Sequence, residues 1–224
     1  MNVGANLEAV RGRIRAAARA VGREPDDIAL LAVSKAQPLA ALQAAWAAGQ
    51  RAFGENYIQE ADAHIDALPD AEWHYIGRIQ ANKARAIAER FAWVHTVDRT
   101  RIAERMSTLR PSSLPPLNVC IQVNLDNEAS KSGTDAAGAA ELAAAISALP
   151  RLRLRGLMAL PRATADADLQ RAAFATVRQL FEALQERHRE LDTLSLGMSG
   201  DMEAAIAEGA TIVRIGTGIF GARA

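Results

Sequence analysis

The chain has 224 residues, half of them hydrophobic, and its 26 basic and 26 acidic residues cancel to zero net charge. That length supplies one well-buried core and barely two, so residues 1–224 are expected to form one domain. No whole-protein field exists to hold nucleic acid or an anionic membrane surface. No apolar run approaches the roughly 20 residues of a membrane span, and a cytoplasmic location is expected.

Residues 1–22 carry Arg11, Arg13, Arg15 and Arg19 among alanines, which gives them the look of a transit segment. Leu7, Val10, Ile14, Ala17 and Val21 nevertheless recur every three or four residues, which predicts the buried stripe of an amphipathic helix. After this helix, short apolar runs alternate with longer alanine-rich stretches of helical period. Strands are expected at 28–35, 52–56, 73–77, 93–98, 118–125, 154–160, 194–199 and 212–220. Helices are expected at 39–48, 57–68, 82–91, 99–109, 136–149, 169–188 and 201–208. Gly49 and Gly209 stand where left-handed helix caps belong. Pro111, Pro115 and Pro116 cluster with serines in a loop. Cys120, the single cysteine, excludes an intrachain disulfide and a thiolate cluster; inside the run 118–125 it reads as a small buried hydrophobe. Eight strands with seven connecting helices and one helix ahead of them match an α/β fold, a single (β/α)₈ TIM barrel with an extra N-terminal helix. An open doubly wound sheet is the competing architecture, because a strand count does not prove closure.

In a barrel of this kind the chemistry sits at the carboxyl ends of the strands. Lys35 ends the first strand, where an amine aimed into the mouth would be partly desolvated and made reactive toward a carbonyl. A rim lysine in water fits the same position. Ser199-Gly200-Asp201 closes the seventh strand and opens a helix, setting a hydroxyl and free N–H groups where a phosphate can sit. A serine there is also a good N-cap. In Val213-Arg214-Ile215-Gly216-Thr217-Gly218 two glycines let the backbone approach an anion. An inward-pointing Arg214 must find an anion, an acceptor or a structural carboxylate. Asn82 reads as a possible N-cap. His74 has no Cys or His partner at ligand spacing, and no metal site is expected.

Ala32-Val33-Ser34-Lys35, Phe53-Gly54-Glu55-Asn56 and His74-Tyr75-Ile76-Gly77 with Gln80-Ala81-Asn82-Lys83 form the first three of six blocks. The others are Gly156-Leu157-Met158, Leu196-Gly197-Met198-Ser199-Gly200-Asp201-Met202 and Val213-Arg214-Ile215-Gly216-Thr217. Together, in this order and over nearly the whole chain, they resemble the pyridoxal phosphate homeostasis protein family. The resemblance implies a barrel like the N-terminal domain of alanine racemase. Its cofactor would be pyridoxal 5′-phosphate (PLP), with Lys35 as the Schiff-base lysine. It further implies that Ser199, Gly200, Gly216 and Thr217 hold the phosphate, that Asn56 and Met158 line the ring pocket, and that Arg214 faces the pyridine nitrogen. A permanent cation there donates to the nitrogen without protonating it, so carbanion chemistry is expected to be weak. The chain ends at Ala224, soon after the eighth strand, where alanine racemase continues into a second domain; an opposing base is therefore expected to be missing.

The expected role is a monomeric carrier that holds PLP and passes it to PLP-dependent apo-enzymes, without fast catalysis. The alternatives are a low-activity PLP-dependent amino-acid racemase and a cofactor-free Schiff-base aldolase acting on a sugar phosphate. Two departures from the family pattern stand out. Ala36 and Gln37 fill the loop where a second basic residue is common, and the tail 220–224 has no lysine pair. Lys131 matches a family segment and is either a secondary cofactor contact or a solvated loop residue.

Overall fold

A computed structural model describes residues 2–124 and 132–221 of the chain. Its strands are β1 (Ala29–Val33), β2 (Ala52–Glu55), β3 (Glu72–Tyr75), β4 (Trp93–Val97), β5 (Leu117–Val123), β6 (Leu152–Ala159), β7 (Thr193–Ser195) and β8 (Ile212–Ile215). The helices are α1 (Val3–Ala20), α2 (Leu39–Ala47), α3 (Ile58–Ala67), α4 (Ala84–Arg90), α5 (Thr100–Leu109), α6 (Ala136–Ser147), α7 (Ala167–Gln185), α8 (Met202–Ala207) and α9 (Thr217–Phe220). All strands are parallel and pair in sequence order, and β8 returns to β1 with Leu31 beside Arg214, which closes the barrel. Closure decides against the open sheet, since no strand is left with an unpaired edge. Helices α2 to α8 follow their strands and cover the outside, the (β/α)₈ arrangement.

Leu7, Val10 and Ile14 of α1 are buried as the spacing predicts, together with Val3 and Ala18. Each large aliphatic side chain buried here contributes about 1.5–3 kcal/mol of transfer free energy before chain entropy is counted. The stripe departs from the expected one at its end: Ala17 is only half-buried and Val21 is exposed, because the helix stops at Ala20 and Val21 is its cap. Two of the arginines that give this segment its transit-like look are used structurally: Arg11 donates to the Ala48 carbonyl at 3.0 Å, and Arg13 pairs with Glu203 of α8 and donates to the Ser199 carbonyl at 3.1 Å. Just after the helix, Arg23 donates to the carbonyls of Ile206 and Ala210. Helix α1 thus lies across α8 and α9 and ties down the turn that carries Ser199.

Two of the expected strands run four or more residues past their observed ends. Residues 217–220 are helical, because Gly216 leaves the extended region (φ −111°, ψ −73°) and its carbonyl accepts from the N–H groups of Ile219 and Phe220. Burial of Ile219 and Phe220, with the Ile219 carbonyl taking a bond from Asn6 of α1, holds that turn. Strand β7 ends at Ser195 rather than at 199, since Gly197 turns the chain with φ +86°. Helix 82–91 begins instead at Ala84, after a tight single turn at Ala81–Lys83. Gly49 and Gly209 do occupy left-handed caps, at φ +85° and +93°.

Candidate functional site

The barrel interior is divided. One side is apolar, with Leu31, Trp93, Cys120, Met158 and Ile212 packed together. Burial pushes the Cys120 thiol up to about 12, so it is a hydrophobe and not a nucleophile. The other side is polar and runs through His74, His95, Ser195 and Arg214, all buried.

At the carboxyl ends of β1, β2, β6 and β8 and the turn after β7 lies a cavity of about 340 Å³. Its lining includes Lys35, Asn56, Met158, Ser199, Gly200, Arg214, Gly216 and Thr217, so the eight residues singled out from the sequence border one space. Val33, Ile76, Leu160 and Met198 complete the wall. Among the described residues lining it, Lys35 and Arg214 are the only titratable ones.

Lys35 stands two residues beyond the end of β1, and the backbone reverses just after it. Ala36 takes φ +57°, a left-handed conformation that costs a non-glycine residue about 1–2 kcal/mol. Its N–H donates to Glu60 Oε2 of α3 at 2.9 Å, which offsets part of that cost. Nothing in the sequence points to the contact between Ala36 and Glu60; an alanine gives no sign of a positive φ. Asn56 follows β2 and is held by the backbone of Gly77, where a Cβ would meet the Asn56 carbonyl oxygen at 2.1 Å. The Asn56 side-chain oxygen is buried without a hydrogen-bond partner among the described residues.

Glu55, the neighbour of Asn56 in the same motif, turns the other way. Its carboxyl lies between the strands and α3, where it accepts from Ser34 Oγ at 2.5 Å and sits 3.0 Å from His64 Nδ1. Burial raises its pKa, and it does not line the cavity.

On the opposite wall, Thr217 Oγ1 donates to Ser199 Oγ at 3.3 Å, joining the turns that follow β7 and β8. Ser199 is not an N-cap; α8 starts later, at Met202, and its cap residue Asp201 accepts from the Met198 N–H at 2.6 Å. Arg214 points inward from β8 and has no carboxylate among its hydrogen-bond partners in the described residues. It donates to the Ser195 carbonyl, to Ser195 Oγ at 2.7 Å and to the Ala159 carbonyl at 3.0 Å. Desolvation pushes its pKa down to about 10, which still leaves it cationic at neutral pH. The structural ion pair considered from the sequence is therefore replaced by three neutral acceptors.

Sequence spacing missed the partner of His74. His95, 21 residues away on the next strand, places Nε2 2.8 Å from His74 Nδ1, and the other His74 nitrogen lies 2.8 Å from Glu72 Oε1. Only closure of the barrel brings the two rings together. Lys131 lies outside the described residues.

Burial lowers the pKa of both His74 and His95 from 6.5, and that of His95 far below. The unfolded chain then binds more protons than the folded one below pH 6.5, so stability is expected to be lost as pH falls through that range. Glu55 acts in the opposite sense above pH 4.5, but one carboxyl stands against two imidazoles. Thermal melts between pH 7.5 and 5 should show the midpoint dropping with acid, by roughly 1 kcal/mol or more per pH unit at the steepest point. A flat profile would mean that the rings are not buried neutral.

A profile of the family described as "Alanine racemase, N-terminal domain" matches residues 5–224. The chain is 58% identical over 221 residues to the pyridoxal phosphate homeostasis protein of Pseudomonas aeruginosa, covering 97% of this chain and 94% of that one. It is 54% identical to the protein of the same name from Escherichia coli, over 97% and 95% of the two chains. Among solved structures, PipY of Synechococcus elongatus with PLP bound superposes with a TM-score of 0.86 at 37% identity, covering 98% of this chain and all of that one. With sequence and fold in agreement over essentially its full length, the chain belongs to the pyridoxal phosphate homeostasis protein family, built on the alanine racemase N-terminal domain fold.

Proposed function

We propose that this chain binds PLP in the cavity at the barrel mouth, as a Schiff base on Lys35, and serves PLP homeostasis by holding the cofactor and passing it to apo-enzymes. Residues 1–224 act in this reading as one PLP-binding domain and as a monomer. Ser199, Gly200, Gly216 and Thr217 take the phosphate, Asn56 and Met158 flank the ring, and Arg214 faces the pyridine nitrogen. The observation that carries the proposal is the shared cavity: Lys35, just after β1, and the hydroxyl-bearing turns after β7 and β8 line one space of about 340 Å³. The residues fit the group, because Ser199 and Thr217 bring hydroxyls to the cavity wall and Gly200 leaves open space where a Cβ would stand. PLP bound to PipY, 37% identical over nearly the whole chain, supports the same choice of ligand.

When bound, PLP supplies an electron-withdrawing ring. Arg214 donates hydrogen bonds to a ring nitrogen but keeps its own proton, which restrains that pull. The absence of a carboxyl, imidazole or phenol among the described lining residues leaves no second base opposite Lys35. Both features favour storage over turnover. Titration of the purified protein with PLP, followed by visible absorption, should reach one equivalent; a protein that stays colourless would favour the cofactor-free aldolase instead. Exchange of the α-hydrogen of L-alanine or L-serine with deuterated solvent should be no faster than with free PLP. A clear acceleration would move the assignment to a low-activity racemase.

A further inference from the structure

We propose that Glu72, His74, His95 and Ser195 form a one-way hydrogen-bond chain that positions Arg214 from the far end of the barrel, making Glu72 a distal positioning residue for the bound ring. The inference rests on the PLP reading of the cavity.

The chain has a single consistent direction when both rings are neutral. Glu72 lies at the start of β3, half-exposed beside an opening among the amino ends of the strands, on the face away from the PLP cavity. Its carboxyl is held below the ordinary range by the contact with His74, so it only accepts. His74 Nε2, 2.8 Å away, must then carry the hydrogen, which leaves Nδ1 bare. His95 Nε2 is 2.8 Å from that bare nitrogen and must donate to it, which in turn leaves His95 Nδ1 bare. Ser195 Oγ is 2.8 Å from His95 Nδ1, so the serine hydroxyl is spent there as a donor. Its oxygen is left to accept from Arg214 Nη1 at 2.7 Å. A carboxylate on one face thereby dictates the proton on every group up to the guanidinium on the other.

The surroundings hold this arrangement rigidly. His74 stacks on Trp93 with ring centroids 5.3 Å apart and planes 3° from parallel, and the Arg155 guanidinium lies over the Trp93 ring at 4.5 Å. The charged neighbours at the Glu72 end are Arg155 and its partner Asp192; near Arg214 the charged neighbour is Asp201. Ser195 and the Ala159 carbonyl accept from three N–H groups of Arg214, which also lines the cavity. A buried hydrogen-bond chain with every member satisfied fixes one geometry, whereas a chain with an ambiguous end admits two. Glutamine at position 72 offers both a donor and an acceptor, so the chain can run either way. In the reversed direction His95 competes with Arg214 for the serine oxygen.

The test compares wild-type protein with Glu72→Gln, His95→Leu and the double variant, each loaded with PLP. Glu72→Gln is nearly isosteric and half-exposed, so it is expected to fold. Its PLP affinity should fall roughly threefold, and the pH at which the bound cofactor's absorption titrates should move by about half a unit. In the His95→Leu background the same substitution should change neither quantity, because the chain is already cut. A purely through-space effect of the carboxylate would persist in that background and would overturn the proposal. Histidine nitrogen NMR of the wild-type apo-protein gives an independent reading: both rings should carry hydrogen on Nε2 and none on Nδ1, and the opposite tautomer at either ring would overturn it. Wild-type protein that takes up no PLP would sink the cavity assignment and this inference together. Normal wild-type binding with an unaffected Glu72→Gln variant would sink only this inference.

Discussion

Lys35→Ala is expected to cost the protein its stoichiometric, light-absorbing cofactor while leaving the barrel folded. Lys35 is partly exposed at the rim and lies beyond the last residue of β1, so none of the barrel pairing passes through it. Substitutions at such positions usually change stability by about 0.5 kcal/mol or less. In the proposed reading the phosphate-holding turns and Arg214 remain in the variant, so PLP should still enter the cavity but without a covalent link. Binding that becomes intramolecular gains a large effective concentration, and its loss should weaken retention by on the order of a hundredfold or more. Dialysis followed by absorption spectroscopy reads the cofactor directly, and a thermal melt of the apo-protein checks the fold. Full retention with an unchanged spectrum would place the attachment elsewhere.

Arg214→Lys is the second substitution with a large expected effect, although it preserves charge. The guanidinium reaches three acceptors because its donors are spread over a rigid fork. An ammonium is a point, and it cannot satisfy the Ser195 carbonyl, Ser195 Oγ and the Ala159 carbonyl together. Each buried acceptor left unpaired costs about 1–3 kcal/mol, so a clear drop in melting temperature is expected. PLP affinity should fall roughly tenfold, in line with the loss of an oriented charge-assisted hydrogen bond. A second signature follows from burial. Arg214, pushed to about 10, keeps its proton through neutrality. A lysine in the same place deprotonates far more readily, so cofactor binding by the variant should become pH-dependent near neutrality. Wild-type affinity with no new pH dependence would mean that the arginine does not act on the ring.

The barrel was legible because hydrophobic period and strand count are local properties. Each strand carries its own apolar run, and glycines such as Gly49 and Gly209 mark the ends of helices. The limits that failed did so where tertiary contacts override local pattern. Residues 217–220 look like more strand, yet Gly216 breaks the extension and burial against α1 winds them into a helical turn. Lys35, Ser199 and Arg214 could be picked out because strand ends point to one rim, a rule of the architecture and not of the residues themselves. By contrast, the left-handed Ala36, the outward turn of Glu55 and the His74–His95 contact leave no trace in the sequence. Each depends on which neighbour the closed sheet supplies: Glu60 for Ala36, His64 for Glu55, and the adjacent strand for the two imidazoles. The histidine pair is instructive, since two imidazoles 21 residues apart appear unrelated until β3 and β4 are set side by side.

The proposed function depends on PLP becoming attached to one particular amine. Borohydride reduction of the PLP-loaded protein, followed by proteolysis and mass spectrometry, addresses that attachment directly. The expected result is bleaching of the visible band with the reduced pyridoxyl phosphate group on the peptide that contains Lys35, and no other lysine labelled to a comparable extent. Label found chiefly on another lysine, or a band that borohydride leaves unchanged, would contradict the account.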